Sequence, residues 1–167
     1  MRCATSNIFA LLLLVATACG TASPKATTTP TASTALREGL QIKLTTIYVD
    51  DQEKALQFYT DVLGFVKKDD VVNEGFRWLT VMAPGDTNGT ALQLALNNDP
   101  AAKAFQEAMF KQSQPAIMFY TKDAKADVAR IRAKGAEFTM PLSDVTYAWI
   151  ATLKDGVGNL VQITQLQ

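Results

Sequence analysis

One order of hydrophobic patterns occurs twice in this chain, and that duplication constrains the fold more than any single motif. The first copy opens on Leu44-Thr45-Thr46-Ile47-Tyr48-Val49, a β-branched and aromatic run closed by Asp50-Asp51, which predicts a strand. Ala55, Leu56, Tyr59, Val62 and Leu63 then recur at three- and four-residue spacing, which predicts a helix over 52–63 stopped by Gly64. Three strand-like runs follow, near 65–71, 76–82 and 90–96, separated by the turn formers of 73–75 and 84–89. The unit reads βαβββ.

An alanine-rich helix over 101–111, just past the capping pair Asp99-Pro100, links this copy to a second one. There a strand over 116–121 precedes a helix over 124–134 that ends at Gly135, and strands near 137–140, 147–153 and 160–164 complete the order. Asp51 and Asp123 close the first strand of each copy, and Gly64 and Gly135 follow them by thirteen and twelve residues. A crossover through a helix cannot be a tight hairpin, so each copy should combine a helix with a mixed sheet. The expected fold class is α+β: two tandem βαβββ modules forming a cupped mixed β-sheet with helices on the outer face.

Composition narrows the chemistry. A chain of 167 residues has room for one domain of roughly 100 to 150 residues beside a disposable terminus. Sixteen basic and sixteen acidic residues cancel, and no basic face is available for nucleic acid, which is not an expected partner. The absence of histidine excludes His-ligated metal sites, Ser-His-Asp triads and Cys-His nucleophile pairs. Both cysteines, Cys3 and Cys19, fall in the first twenty residues, where they point to processing rather than to a disulfide.

Residues 1–19 carry a positive charge at Arg2, an apolar run over 8–15 and the small residues Ala16-Thr17-Ala18 before Cys19, the pattern of a bacterial-type export signal. The apolar run is far short of the roughly 20 residues that span a bilayer. Ala16-Thr17-Ala18-Cys19 resembles the lipobox of bacterial lipoproteins, whose cysteine is acylated, although Ala16 stands where a larger aliphatic is usual. Ala16 and Ala18 also fit the Ala-x-Ala site of an ordinary secretory signal. The stretch after Cys19 is rich in Thr, Ser, Ala and Pro and cannot bury enough apolar surface to offset its ordering entropy. The expected division is a signal peptide over 1–18, a flexible tether over 19–40, and a globular domain over 41–167 with modules at about 42–97 and 115–166. The expected location is the bacterial cell envelope, held through lipidated Cys19; a secreted soluble protein is the alternative.

The segment 47–59, with Leu63-Gly64-Phe65 after it, is similar to the common opening of the vicinal oxygen chelate superfamily, which unites glyoxalase, bleomycin-resistance and extradiol dioxygenase proteins. Asp155-Gly156-Val157-Gly158-Asn159-Leu160-Val161-Gln162-Ile163 resembles its closing turn and strand, usually Asp-Pro-x-Gly-Asn followed by an apolar strand carrying a glutamate. The resemblance spans roughly 42–166. Taken alone, Gly156-Val157-Gly158 invites a phosphate-loop reading, but that loop requires a helix after it and here a strand follows. Metal-dependent relatives take four ligands from the first and last strands of the two modules, and the matching positions read Leu44, Gln93, Ala116 and Gln162. Leucine and alanine cannot ligate, and two neutral amides do not hold zinc, iron or manganese. No metal and no cofactor is expected.

Period-two alternation assigns Leu44, Thr46, Tyr48, Ala91, Gln93, Ala95, Ala116, Met118, Tyr120, Leu160, Gln162 and Thr164 to the cup. An apolar lining with a few hydrogen-bonding groups suits a small-molecule pocket, though a filled core would read similarly. The candidate ligand-binding residues are Thr46, Tyr48, Trp78, Gln93, Met118, Tyr120, Trp149 and Gln162. Trp78, Tyr147 and Trp149 could stack on a flat ligand or simply pack, and Gln93 and Gln162 could bind one ligand or pair with each other. For catalysis the sequence offers Glu74, Asp144, Tyr48 and Tyr120, with nothing in their spacing to single one out. Three functions are therefore in view: an exported module that binds an apolar or aromatic molecule, a metal-independent lyase or isomerase of the same fold, and an interaction domain. The resemblance implies a homodimer in which modules complete one another's cups.

Overall fold

The computed structural model of the protein describes residues 39–86 and 89–167. The expected signal peptide, Cys19 and most of the expected tether lie outside the described residues. The elements run β1 (Leu44–Val49), α1 (Gln52–Gln57), a π-helical turn (Phe58–Val62), β2 (Val66–Asn73), β3 (Phe76–Met82), β4 (Ala91–Leu96), α2 (Pro100–Lys111), β5 (Ile117–Tyr120), α3 (Ala124–Ala133), β6 (Phe138–Asp144), β7 (Ala148–Lys154) and β8 (Leu160–Leu166). They form two four-stranded sheets with the same topology, β1-β4-β3-β2 and β5-β8-β7-β6. In each, the strand before the helix lies parallel to the last strand of the module, while the hairpin-linked strands pair antiparallel. The helical crossover forces this mixed arrangement.

Local chemistry sets the helix limits. Asp51 accepts from the Glu53 and Lys54 amides, and Asp123 accepts from the Ala126 amide, so each module helix starts on an aspartate cap. Gly64 and Gly135 adopt positive φ just past the ends, a conformation that costs a residue with a side chain more. The first helix departs from the regular helix expected over 52–63. After Gln57 it widens into the π-helical turn, in which the Leu63 amide donates to the Phe58 carbonyl five residues back at 3.1 Å. The interval from cap to glycine is one residue longer here than in the second module, and the π-turn absorbs that residue.

Strand β6 is also longer than the expected 137–140 and runs through Pro141. A proline is tolerated there because β6 is an edge strand and its pairing with β7 shifts register between Met140 and Ser143.

One hydrophobic cluster joins both modules. Ile47, Val49, Leu79, Val81, Leu92 and Leu94 from the first sheet meet Ala151, Leu153, Val161 and Ile163 from the second, with Ala55, Tyr59, Val128 and Ile131 supplied by the helices. Burying a leucine or valine of this kind contributes about 1.5–3 kcal/mol. At the seam the Tyr59 ring meets Phe119 edge-on, and Phe65 lies 4.9 Å from Phe119, centroid to centroid.

A buried polar knot fixes the two modules in register. Asp155 accepts from the Val157 and Asn159 amides, from the Asn159 side chain and from the Tyr59 hydroxyl at 3.3 Å. Gln106 of α2 donates to the Tyr48 and Val157 carbonyls at 2.8 and 2.9 Å, and Asn159 donates to the Tyr48 carbonyl at 2.8 Å. Burial raises the Asp155 carboxyl above its usual range, against the opposing pull of its hydrogen bonds. Burial, with the adjacent carboxylate, also pushes the Tyr59 phenol well above its ordinary value.

Candidate functional site

Each sheet presents one face to the helices and leaves the other open at its margins, where Tyr48, Met118 and Tyr120 are exposed, while Thr80, Gln93, Thr152 and Thr164 at its middle are buried. In the first sheet Ile47, Val49, Leu79, Val81, Leu92 and Leu94 point to the core, so strand alternation turns Leu44, Thr46, Tyr48, Trp78, Thr80, Gln93 and Ala95 to the open face. In the second, Ala151, Leu153, Val161 and Ile163 point inward and leave Met118, Tyr120, Ile150, Thr152, Gln162 and Thr164 on the open face. The register makes the two faces equivalent row by row. Thr46 lies beside Gln93 and Gln93 beside Thr80; Met118 lies beside Gln162 and Gln162 beside Thr152.

Of the eight candidate residues, Thr46, Tyr48, Trp78 and Gln93 share the first open face, and Met118, Tyr120 and Gln162 share the second. Trp149 joins neither: it is in phase with Ala151 and Leu153, and it pairs with Gln165, whose side chain accepts from the Ala124 amide at the start of α3. Trp149 therefore lies on the helix side of its sheet, and Tyr147 stands in the β6–β7 turn. Glu74 occupies the β2–β3 turn, and Asp144, at the end of β6, accepts from the Thr146 amide and the Gln167 side chain. Neither carboxylate is brought to an open face.

The open faces carry more apolar surface than a core would leave uncovered: Met118 is 50% exposed, Tyr120 66% and Tyr48 37%. Their amides are partly engaged. Thr46 donates to Gln93 Oε1 at 2.9 Å, and Gln162 Nε2 donates to Thr164 at 3.0 Å. This leaves the Gln93 amino group and the Gln162 carbonyl without partners among the described residues. Gln93 and Gln162 sit in separate sheets, each tied to its own threonine.

A divalent ion does not fit these donors. The row through Gln93 offers two hydroxyls, an amide and the single carboxylate of Asp69, the row through Gln162 two thioethers, an amide and a hydroxyl, and Leu44 and Ala116 offer nothing. Among the described residues no group of three His, Cys, Asp or Glu side chains stands close enough to hold a metal ion. Such ions are held by imidazole, thiolate or carboxylate groups.

A cavity of about 630 Å³ opens between the end of the π-turn and the β5–α3 region, lined by Leu63, Phe65, Pro84, Phe119 and Ile131 among others and touching the second open face at Tyr120. Its polar side chains other than Tyr120 are already occupied. Thr121 donates to Asp127, and Arg130 binds Asp127 and the Val62 and Leu63 carbonyls. The open sheet faces, which retain free amide groups, are the better ligand candidates.

Alternation along β1, β4, β5 and β8 made the open faces legible in the sequence. It missed Asp69, because β2 carries an irregularity between Lys67 and Asp69 that breaks the period-two count, while Thr80, in phase with Trp78, lies on β3 outside those four strands. Asp69 Oδ2 accepts from the Thr80 hydroxyl at 2.8 Å, which places it on the first open face.

Comparison with known proteins decides the family. Residues 41–163 match the model of the Glyoxalase/Bleomycin resistance protein/Dioxygenase superfamily. The chain belongs to this superfamily. The protein YurT of Bacillus subtilis (strain 168) is 43% identical over 126 residues, covering 75% of this chain and 99% of that protein. Among solved superfamily folds, TnmS3, an antibiotic binding protein from Streptomyces sp. CB03234, is 25% identical with a TM-score of 0.63, covering 78% of this chain and 98% of its own. UcmS2, 24% identical with a TM-score of 0.67 over 75% of this chain and 98% of its own, shares the fold. Paired βαβββ modules, with aspartate caps and positive-φ glycines repeated in each, are how this superfamily member builds its two open faces.

Proposed function

We propose that this protein is an exported, lipid-anchored binding module that holds a small apolar or aromatic molecule on its open sheet faces, without a metal and without chemical change. The observation that carries the reading is the make-up of those faces: exposed Tyr48, Met118 and Tyr120 supply apolar contact, while Gln93 and Gln162 keep amide groups free to orient a guest. The likeness to an antibiotic binding protein supports it. The Ala16-Thr17-Ala18-Cys19 motif supports acylation at Cys19 and attachment to the cell envelope.

A homodimer belongs to the same proposal. Two open faces with this much exposed apolar surface are suited to meet those of a second copy and enclose the ligand.

The test uses the full chain carrying Cys19→Ala. Metal content is measured by plasma mass spectrometry, and native mass spectrometry reads retained ligand and oligomeric state. A dimer that carries or accepts an organic molecule at sub-stoichiometric metal is expected. Near-stoichiometric metal or turnover of the guest would overturn the reading. The anchor is tested separately: radiolabelled palmitate should enter the wild-type chain in a bacterial host and not the Cys19→Ala variant.

A further inference from the structure

The two open faces are equivalent in register but opposite in chemistry. Reading across the first sheet, one row runs Thr46, Gln93, Thr80, Asp69; the matching row of the second runs Met118, Gln162, Thr152, Met140. The central glutamine and threonine are shared. The ends differ, with a hydroxyl and a carboxylate in one sheet and two thioethers in the other.

Asp69 is the only acid in either row, and its position is built. The extra residue in β2 at Lys68 shifts the register so that Asp69 stands opposite Thr80, and bulges of this kind re-aim side chains. Thr80 is fully buried. Its hydroxyl donates to Asp69 Oδ2 at 2.8 Å and accepts from the Asp69 amide at 3.1 Å, so the carboxylate is pinned from two sides. Oδ1 remains without a partner among the described residues. Among those residues neither Lys68 nor any other cation forms a salt bridge with Asp69, whereas Asp70, on the opposite face, is held by Arg77 and Lys67. The next row places Val71 beside Trp78 on the same open face, and Phe76 lies 6.5 Å from Trp78.

We infer that Asp69 is a specificity determinant and that the first open face selects a planar aromatic ligand bearing a protonated amine. This deepens the proposed binding function and rests on it. A half-buried carboxylate with a free oxygen is satisfied by an ammonium or ring N–H, and such charge-assisted hydrogen bonds are about twice as strong as neutral ones. Trp78 beside it offers a π-face to the same cation. The second face, with Met118 and Met140 at the matching row ends, suits the apolar side of the guest, since thioethers pack well on aromatic rings.

The experiment is calorimetric titration of the full chain carrying Cys19→Ala with two tricyclic probes of similar outline, cationic 9-aminoacridine and neutral acridone. The unsubstituted face should bind the cation roughly tenfold or more tightly, a difference worth about 1.4 kcal/mol, and this preference should shrink as salt is raised. Asp69→Asn should abolish the preference while leaving acridone affinity unchanged, and Asp70→Asn should leave the preference intact. If Asp69→Asn fails to fold, the salt dependence of the unsubstituted protein decides instead. Equal affinity for both probes, or a preference indifferent to salt and to Asp69→Asn, overturns the inference and leaves the binding function standing. Failure of both probes to bind overturns the open faces as an aromatic-ligand site, and the inference with them.

Discussion

Asp70 and Asp155 are both hydrogen-bonded several times over, yet their surroundings push their acidities in opposite directions. The Arg77 and Lys67 side chains hold Asp70 well below the usual carboxylate range, whereas burial lifts Asp155 above it. A lowered folded-state value stabilises the fold above the unfolded value, about 3.9 for aspartate, and that stabilisation is lost as pH falls through the folded value. Asp70→Asn should therefore cost roughly 0.5–1 kcal/mol near neutrality, as partly exposed ion pairs do. The cost should shrink toward zero as the pH is taken below about 4, which urea unfolding across that range would check. Asp155 has the reverse sign: its contribution is greatest below the unfolded value and declines as pH rises through the raised folded one. Tyr59→Phe removes one donor from Asp155 and leaves three, so a loss of about 1–2 kcal/mol is expected from denaturant midpoints at constant slope. A loss near zero would mean that the Tyr59 ring, rather than its hydroxyl, carries the contact.

The π-turn at Phe58–Val62 is the clearest difference between the two modules at the scale of elements. Because the π-turn absorbs the extra residue, deleting Thr60 would equalise the cap-to-glycine intervals and let the helix run regularly with the downstream chain in phase, whereas a deletion from a regular helix would rotate it by about 100°. Phe65 should then keep its place against Phe119, and melting should change by no more than a few degrees, each 1 kcal/mol being worth about 4 °C in a domain intermediate in size between about 100 and 150 residues. A larger fall would mean that the π-turn itself holds Phe65 against Phe119. This element also marks where sequence reading stopped. Both βαβββ orders, the aspartate caps at Asp51 and Asp123 and the terminating glycines were visible in spacing alone, because each depends on local chemistry. The π-turn, the run of β6 through Pro141 and the bulge at Lys68 depend on what packs opposite, and the pattern of a single strand or helix does not contain that. The same limit hid Asp69 and placed Trp149 among the candidates of the open faces.

For the molecule as a whole, charge and exposure point the same way. With equal numbers of acidic and basic residues there is little net repulsion to hold copies apart, and the open faces present Met118 and Tyr120 at half or more of full exposure. If the proposed homodimer closes over these faces, Met118→Glu with Tyr120→Glu should convert it to monomer in sedimentation velocity and leave the far-ultraviolet circular dichroism intact. A dimer that survives both substitutions would have to use another surface. The polar knot and the pairing of β5 with β8 alone also bear on how the chain is made. During synthesis Tyr59 emerges from the ribosome almost a hundred residues before the aspartate it bonds, 96 positions further along. The first strand of the second sheet likewise waits for the final seven-residue strand to acquire its neighbour. Domains commonly fold from the N-terminus as they are made, and the first sheet, complete at Leu96, can do so, but the seam cannot close until β8 has been made. The second sheet and the seam are thus the late steps of folding, and the first sheet is the early one.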